Sequence, residues 1–140
     1  MTMNDERMSC GVVLARVTGT GWMTLMLRAY NHWDFPKGIQ EVGEAPLETA
    51  LRELGEEAGI ESVVFEWGDH RIVTGPYRSG KTACYFIAKT TQQDVVMGIS
   101  PATGVPEHNE WRWVSFDTAY DLSTPRVRQV VQWARQIIGA

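Results

Sequence analysis

The stretch from Gly38 to Ile60, GIQEVGEAPLETALRELGEEAGI, puts more acid on one helical face than a solvated helix needs. Pro46 to Ala58 is predicted as a helix. Pro46 suits its first turn, and Gly59 supplies a left-handed stop, with Ile60 placed to pack back on Leu54. At 100° per residue with Glu53 at zero, Glu56 falls at about −60° and Glu57 at about +40°, so three carboxylates share one narrow face. Leu47, Ala50, Leu51, Leu54 and Ala58 fall between about +60° and +160°, an apolar stripe that must meet a core. The two faces adjoin, which sets the acids beside whatever the helix packs on. Ala45 stands where a Ser, Thr or Asp cap is expected.

The arrangement is locally unfavourable. The pairs Glu53–Glu56 and Glu53–Glu57 each cost about 0.2–0.5 kcal/mol as like charges one turn apart. Glu56 and Glu57 also occupy the negative end of the helix dipole. A divalent cation reverses the sign of all these terms. Clustered carboxylates with no His or Cys nearby select hard cations, so Mg²⁺, with Mn²⁺ as substitute, is the natural occupant. The plainer reading is a solvated acidic face with Arg52 as counter-ion. Spacing decides between them. Gly38, five residues, Glu44, seven residues and Arg52-Glu53-Leu54-Gly55-Glu56-Glu57-Ala58-Gly59-Ile60 resemble the Nudix box, G-x5-E-x7-R-E-U-x-E-E-x-G-U with U aliphatic, at every specified position. At ordinary residue frequencies a chance match has probability on the order of 10⁻⁸.

The resemblance implies an α/β fold, an α/β/α sandwich around a mixed sheet with the box as loop-helix-loop, and hydrolysis of a nucleoside diphosphate linked to another group. It implies Glu53, Glu56 and Glu57 as metal ligands, helped by the Gly38 carbonyl. Arg52 is the arginine that orients the glutamates, and Glu44 is a structural partner within the box. Water then attacks phosphorus in line, and Glu57, Glu56 or a residue outside the box takes its proton.

Three further stretches resemble the branch that hydrolyses dinucleoside polyphosphates asymmetrically. The run WDFPKG leads into the box; Lys37, and with it His32, is placed to contact phosphate. In Tyr77-Arg78-Ser79-Gly80-Lys81, the resemblance assigns Tyr77 to a base and Lys81 to a phosphate. In PEHNEWRWV, Glu107 is the extra metal-binding or base glutamate, with Glu110 as its rival. Trp111 stands at the position that stacks on adenine, with Tyr77 as the other side of a sandwich, while Trp113 reads as a packing residue. Arg126, Arg128 and Arg135 read as the wet face of a last helix.

The 140 residues imply one domain over residues 8–140 behind a flexible N-terminus, residues 1–7, that lacks the apolar core of a signal peptide. A composition 44% hydrophobic and 21% charged excludes a disordered, collagenous or coiled-coil chain. No apolar run is long enough to span a membrane. A net charge of −4 argues against duplex nucleic acid and anionic membrane as partners. Cys10 and Cys84 sit in apolar runs and read as buried thiols of a reducing cytoplasm.

Strands are expected at Cys10–Val17, Trp22–Arg28, Ser62–Trp67, Arg71–Thr74, Thr82–Lys89 and Glu110–Phe116, with Ala29–Pro46 a loop. A final helix starts at a Thr124 cap and Pro125 and ends at Gly139. The expected function is Mg²⁺-dependent hydrolysis of a dinucleoside polyphosphate such as diadenosine tetraphosphate to ATP and AMP, with a small nucleotide as partner. The alternatives are an RNA 5′-pyrophosphohydrolase, a nucleoside triphosphate or oxidised-nucleotide pyrophosphatase, and a non-catalytic nucleotide-sensing module. The last should have lost one of Glu53, Glu56 and Glu57, and none is lost. The sequence carries no signal of oligomeric state.

Overall fold

The computed structural model describes residues 8–140, so the expected flexible segment lies outside it. β1 (Ser9–Thr18) and β2 (Gly21–Ala29) form the expected hairpin. Their pairing runs only from Thr18↔Gly21 to Ala15↔Thr24, after which the strands part. Two three-residue strands fill the fork: β3 (His32–Asp34) pairs with β2, and β4 (Lys37–Ile39) pairs with β1. The chain then enters α1 (Pro46–Ala58). β5 (Arg71–Thr74) and β6 (Ala83–Lys89) extend the other edge, with β6 parallel to β1 and β5 antiparallel to β6. β7 (Glu110–Ser115) lies antiparallel along the free edge of β2. The result is a seven-stranded mixed sheet.

Strand alternation sorts the core into two layers. Val12, Leu14, Leu25, Leu27, Cys84 and Phe86 face α1, where Ala50, Leu54, Ala58 and Ile60 meet them. Val13, Met26, Tyr85 and Ile87 face α2 (Phe116–Leu122) and α3 (Pro125–Ile138). This is the α/β/α sandwich that the sequence implies. Burying a side chain such as Leu54 contributes about 1.5–3 kcal/mol. Leu51 is 36% exposed, so the apolar stripe of α1 is narrower than its periodicity suggests.

Several expectations need correction. Ala29–Pro46 is not all loop: β3 and β4 lie within it, too short and too rich in Gly and Pro to show a period. Ser62–Trp67 is not a strand. It makes one bridge, Val64 to Lys89, beyond the end of β5, and turns away at Gly68. Phe116 begins α2 rather than ending β7, because the Ser115 hydroxyl accepts the Thr118 N–H at 3.1 Å and caps a helix there. Thr124 begins α3 without a side-chain cap. At α1 the Glu48 carboxylate accepts the Ala45 N–H at 2.8 Å, half of a capping box that offsets the missing hydroxyl.

The arginines of α3 are not simply a wet face either. Arg135 pairs with Asp117 at 2.9 Å, and Arg128 donates to the Tyr120 carbonyl at 2.9 Å. Arg126 reaches Asp34 and Tyr85 across the sheet. Long side chains on a helix laid against a sheet edge reach inward as readily as outward.

Candidate active site

The C-terminal half of α1 packs against β4, and this contact needs a glycine. A Cβ at Gly38 would lie 2.1 Å from the carboxyl carbon of Glu53. One helical turn on, the Lys37 N–H donates to Glu57 Oε1 at 3.1 Å. Backbone at Lys37 and Gly38 therefore seats two of the three box carboxylates.

Arg52 holds the third side. Its Nε donates to Glu44 Oε2 at 2.7 Å, and Nη2 donates to Glu44 Oε1 and the Ile39 carbonyl, both at 3.1 Å. Nη1 reaches Glu53 Oε1 at 2.8 Å and Glu56 Oε1 at 3.2 Å. One guanidinium thus ties the loop before α1 to two carboxylates of its acid face, using the planar fork that a lysine lacks. Glu44, also accepting from Thr49 at 2.6 Å, is held down at about 2 by these donors, Arg52 foremost. It stays charged and bound to Arg52.

Glu57 behaves oppositely. Burial, then the neighbouring Glu53 and Glu107 charges, push its carboxyl up to about 9, against the Lys37 N–H that favours the anion. Glu53 is raised too, chiefly by burial. Glu53, Glu56 and Glu57 line a cavity of about 110 Å³ that Glu107 and His108 close from the other side, together with Met97–Pro101. That covering segment is fastened to the end of α1: the Val96 N–H donates to the Ala58 carbonyl at 2.9 Å. At Gly98 a Cβ would lie 2.0 Å from the Glu56 carbonyl oxygen, so only glycine fits the seat.

The donor set suits a hard divalent cation. It offers carboxylate oxygens, and two of them are raised by desolvation and mutual repulsion, a cost that a cation offsets. Among the described residues no three acids or imidazoles already converge on one point. Arg52 draws Glu53 and Glu56, while Lys37 draws Glu57.

Residues 5–134 match the model of the NUDIX domain. The chain belongs to the Nudix family. It is 32% identical over 143 aligned positions to the asymmetrical bis(5′-nucleosyl)-tetraphosphatase of Sus scrofa, covering 93% of this chain and 94% of that protein. It is 28% identical to an RNA pyrophosphohydrolase of Rhodospirillum rubrum, over 90% of this chain and 82% of that one. The fold superposes on a C. elegans Ap4A hydrolase binary complex with a TM-score of 0.80 at 24% identity, over 94% of this chain and 98% of that one. Nudix hydrolases generally work with divalent cations.

Outside the Nudix box, the structure brings some predicted residues together and separates others. Glu107 lines the carboxylate cavity. Its rival Glu110 is engaged elsewhere, by Arg112 at 2.6 Å and Arg28 at 3.0 Å. The Lys37 ammonium lies 3.8 Å from Asp34, and Lys37 is not among the residues that line the cavity. His32 and Lys81 are exposed and line no part of it.

Trp111 and Tyr77 do not form a sandwich. Trp111 is in register with Leu27 and so lies on the α1 side of the sheet, whereas Tyr77 packs on the α3-side core. The two rings therefore start from opposite faces of the sheet. Trp113 packs as expected, with Arg16 over its ring at 4.8 Å and its indole N–H on the Gln93 carbonyl at 2.9 Å. Sequence reasoning missed Asp34, Tyr85 and Arg126, a linked cluster behind Lys37, and gave no role to His108. The one signal available was an arginine in the first turn of a helix, where the dipole disfavours a cation.

Proposed function

We propose that this Nudix hydrolase is a divalent-cation-dependent dinucleoside polyphosphatase that splits diadenosine tetraphosphate asymmetrically into ATP and AMP. The observation that carries the reading is the cavity in which Glu107, from outside the box, faces the acid face of α1. Similarity to the Sus scrofa enzyme over nearly the whole of both chains supports the substrate class. Mg²⁺, with Mn²⁺ as substitute, would be held by Glu53, Glu56, Glu57, the Gly38 carbonyl and Glu107, and would neutralise the pyrophosphate and acidify the attacking water.

The protein's own groups do the rest. Arg52 keeps Glu53 and Glu56 on one side of the cavity, and the Lys37 N–H fixes Glu57. The Lys37 ammonium stands where the phosphate chain leaves the carboxylates, and His32, Lys81 and Tyr77 serve the outer parts of the substrate. Trp111, 37% exposed, offers a ring face to a base. Glu57, Glu56 and Glu107 are the candidates for the group that accepts the proton of the attacking water.

The R. rubrum relative favours one second reading, removal of pyrophosphate from an RNA 5′ end. Among the described residues no helix is long and apolar enough to cross a membrane. The buried thiols of Cys10 and Cys84 support a cytoplasmic setting. The test is product analysis on diadenosine tetraphosphate, triphosphorylated short RNA and nucleoside triphosphates, with Mg²⁺ and with EDTA. Diadenosine tetraphosphate should be the best substrate, giving ATP and AMP only with the cation. A clear preference for RNA would replace this reading with the second.

A further inference from the structure

We infer that Arg126, in the first turn of α3, is a substrate-binding residue that takes a phosphate of the polyphosphate chain beyond the one Lys37 contacts. The inference rests on the proposed function, since only a substrate with several linked phosphates spans both cations.

Four observations lead to it. First, Asp34 serves two cations: Arg126 Nη2 lies 3.0 Å from its carboxylate and Lys37 Nζ 3.8 Å. The trio keeps one net positive charge. Asp34 also accepts from the Phe35 N–H at 2.7 Å and the Tyr85 hydroxyl at 3.0 Å, so its own charge is well satisfied. Second, Arg126 is set against the dipole of its own helix, and no acidic residue in that first turn relieves it. A cation kept there at a cost is suited to an anion brought from outside.

Third, the guanidinium is pre-oriented. Its carbon sits 5.0 Å from the ring centre of Tyr77, whose hydroxyl is tied to Thr74, and Nη1 donates to Tyr85 at 2.9 Å. Tyr85 and Asp34 engage two of its five N–H donors, and about a third of the side chain is open to solvent (31% exposed). Fourth, a chain of contacts links the position to the carboxylates. The backbone of Lys37 holds Glu57, its ammonium meets Asp34, and Asp34 meets Arg126. A phosphate chain leaving the carboxylates along this wall meets Lys37 first and Arg126 next.

The rival account is that Arg126 only ties α3 to the sheet. The full-length chain with Arg126→Gln, and with Arg126→Lys as the variant that keeps the charge, separates the two. With diadenosine tetraphosphate and Mg²⁺, Arg126→Gln should raise KM about tenfold or more, the size of one lost charge-assisted hydrogen bond, with kcat within about threefold. Arg126→Lys should fall between Arg126→Gln and the parent, because it restores charge without the planar fork.

Calorimetric titration of the Mg²⁺-loaded chain with inorganic tripolyphosphate and with pyrophosphate tests the site without assuming the substrate. Tripolyphosphate should bind the Gln variant about tenfold more weakly, and pyrophosphate, too short to reach, equally well. Unchanged KM and tripolyphosphate affinity with a lowered Tm would overturn the inference in favour of a structural tie. A fall in kcat at constant KM would overturn it in favour of action through Lys37. A parent chain that ignores diadenosine tetraphosphate would sink the proposed function instead, and the two phosphate titrations would still judge Arg126.

Discussion

The acid face of α1 and the wall behind Lys37, the two halves of the proposed site, are built in opposite ways. Arg52 touches Glu44, Glu53, Glu56 and Ile39, none more than 13 positions away in the chain. Tyr85 and Asp34 are 51 positions apart, and Arg126 and Asp34 are 92 apart. The first set is positioned by the helical repeat and a loop of fixed length. The second exists only once β3 has entered the fork between β1 and β2 and α3 has docked. The residues proposed to hold a cation can therefore be written into a short motif, while those proposed to bind the substrate depend on the whole topology.

If that division is right, changes in the box should strike turnover and changes on the outer surfaces should strike affinity. Glu57→Gln keeps the shape and the contact with Lys37 but removes the charge. It should lower kcat by several orders of magnitude with the fold intact, and near-normal kcat would break the division outright. Gly38→Ala drives a methyl group into the Glu53 carboxylate and should cost about 10²-fold in kcat, the scale of a misplacement near 1 Å.

Trp111→Ala should instead raise KM about tenfold with little change in kcat, as loss of one stacked base does. Because Trp111 and Tyr77 lie on opposite faces of the sheet, the effects of Trp111→Ala and Tyr77→Ala on KM should simply multiply. A strong departure from that product would restore the sandwich. The smallest effect is on stability. In EDTA, Glu57 holds its proton in the folded chain up to about 9 but releases it near 4.5 when unfolded. The folded state binds more protons across that window, so Tm should fall by several degrees as pH rises from 5.5 to 8.5. Glu57→Gln should flatten the slope.

The sequence made the sandwich, its two principal helices and the box legible because each rests on a period or a fixed spacing. β3 and β4 escaped because three residues cannot display a period and their pairing is decided by where β1 and β2 part. Ser62–Trp67 misled because Val63, Phe65 and Trp67 do pack on the core, yet only Val64 bridges to a neighbouring strand. Glu107, singled out from its neighbours in PEHNEWRWV, does line the carboxylate cavity. The cluster of Asp34, Tyr85 and Arg126 was not legible, since each residue alone has an ordinary local explanation: a loop acid, a core aromatic, a helix-face cation. Trp111 and Tyr77 face apart because the register of β7 fixes the first, while the second packs on the α3-side core.

The central claim is that the carboxylate face of α1 is a divalent-cation site. Mn²⁺ titration followed by electron paramagnetic resonance tests it without substrate. The parent chain and Trp111→Ala should bind Mn²⁺ equally, and Glu57→Gln should bind it at least about tenfold more weakly, as loss of an ionised ligand requires. Equal Mn²⁺ binding by Glu57→Gln and the parent would contradict the account.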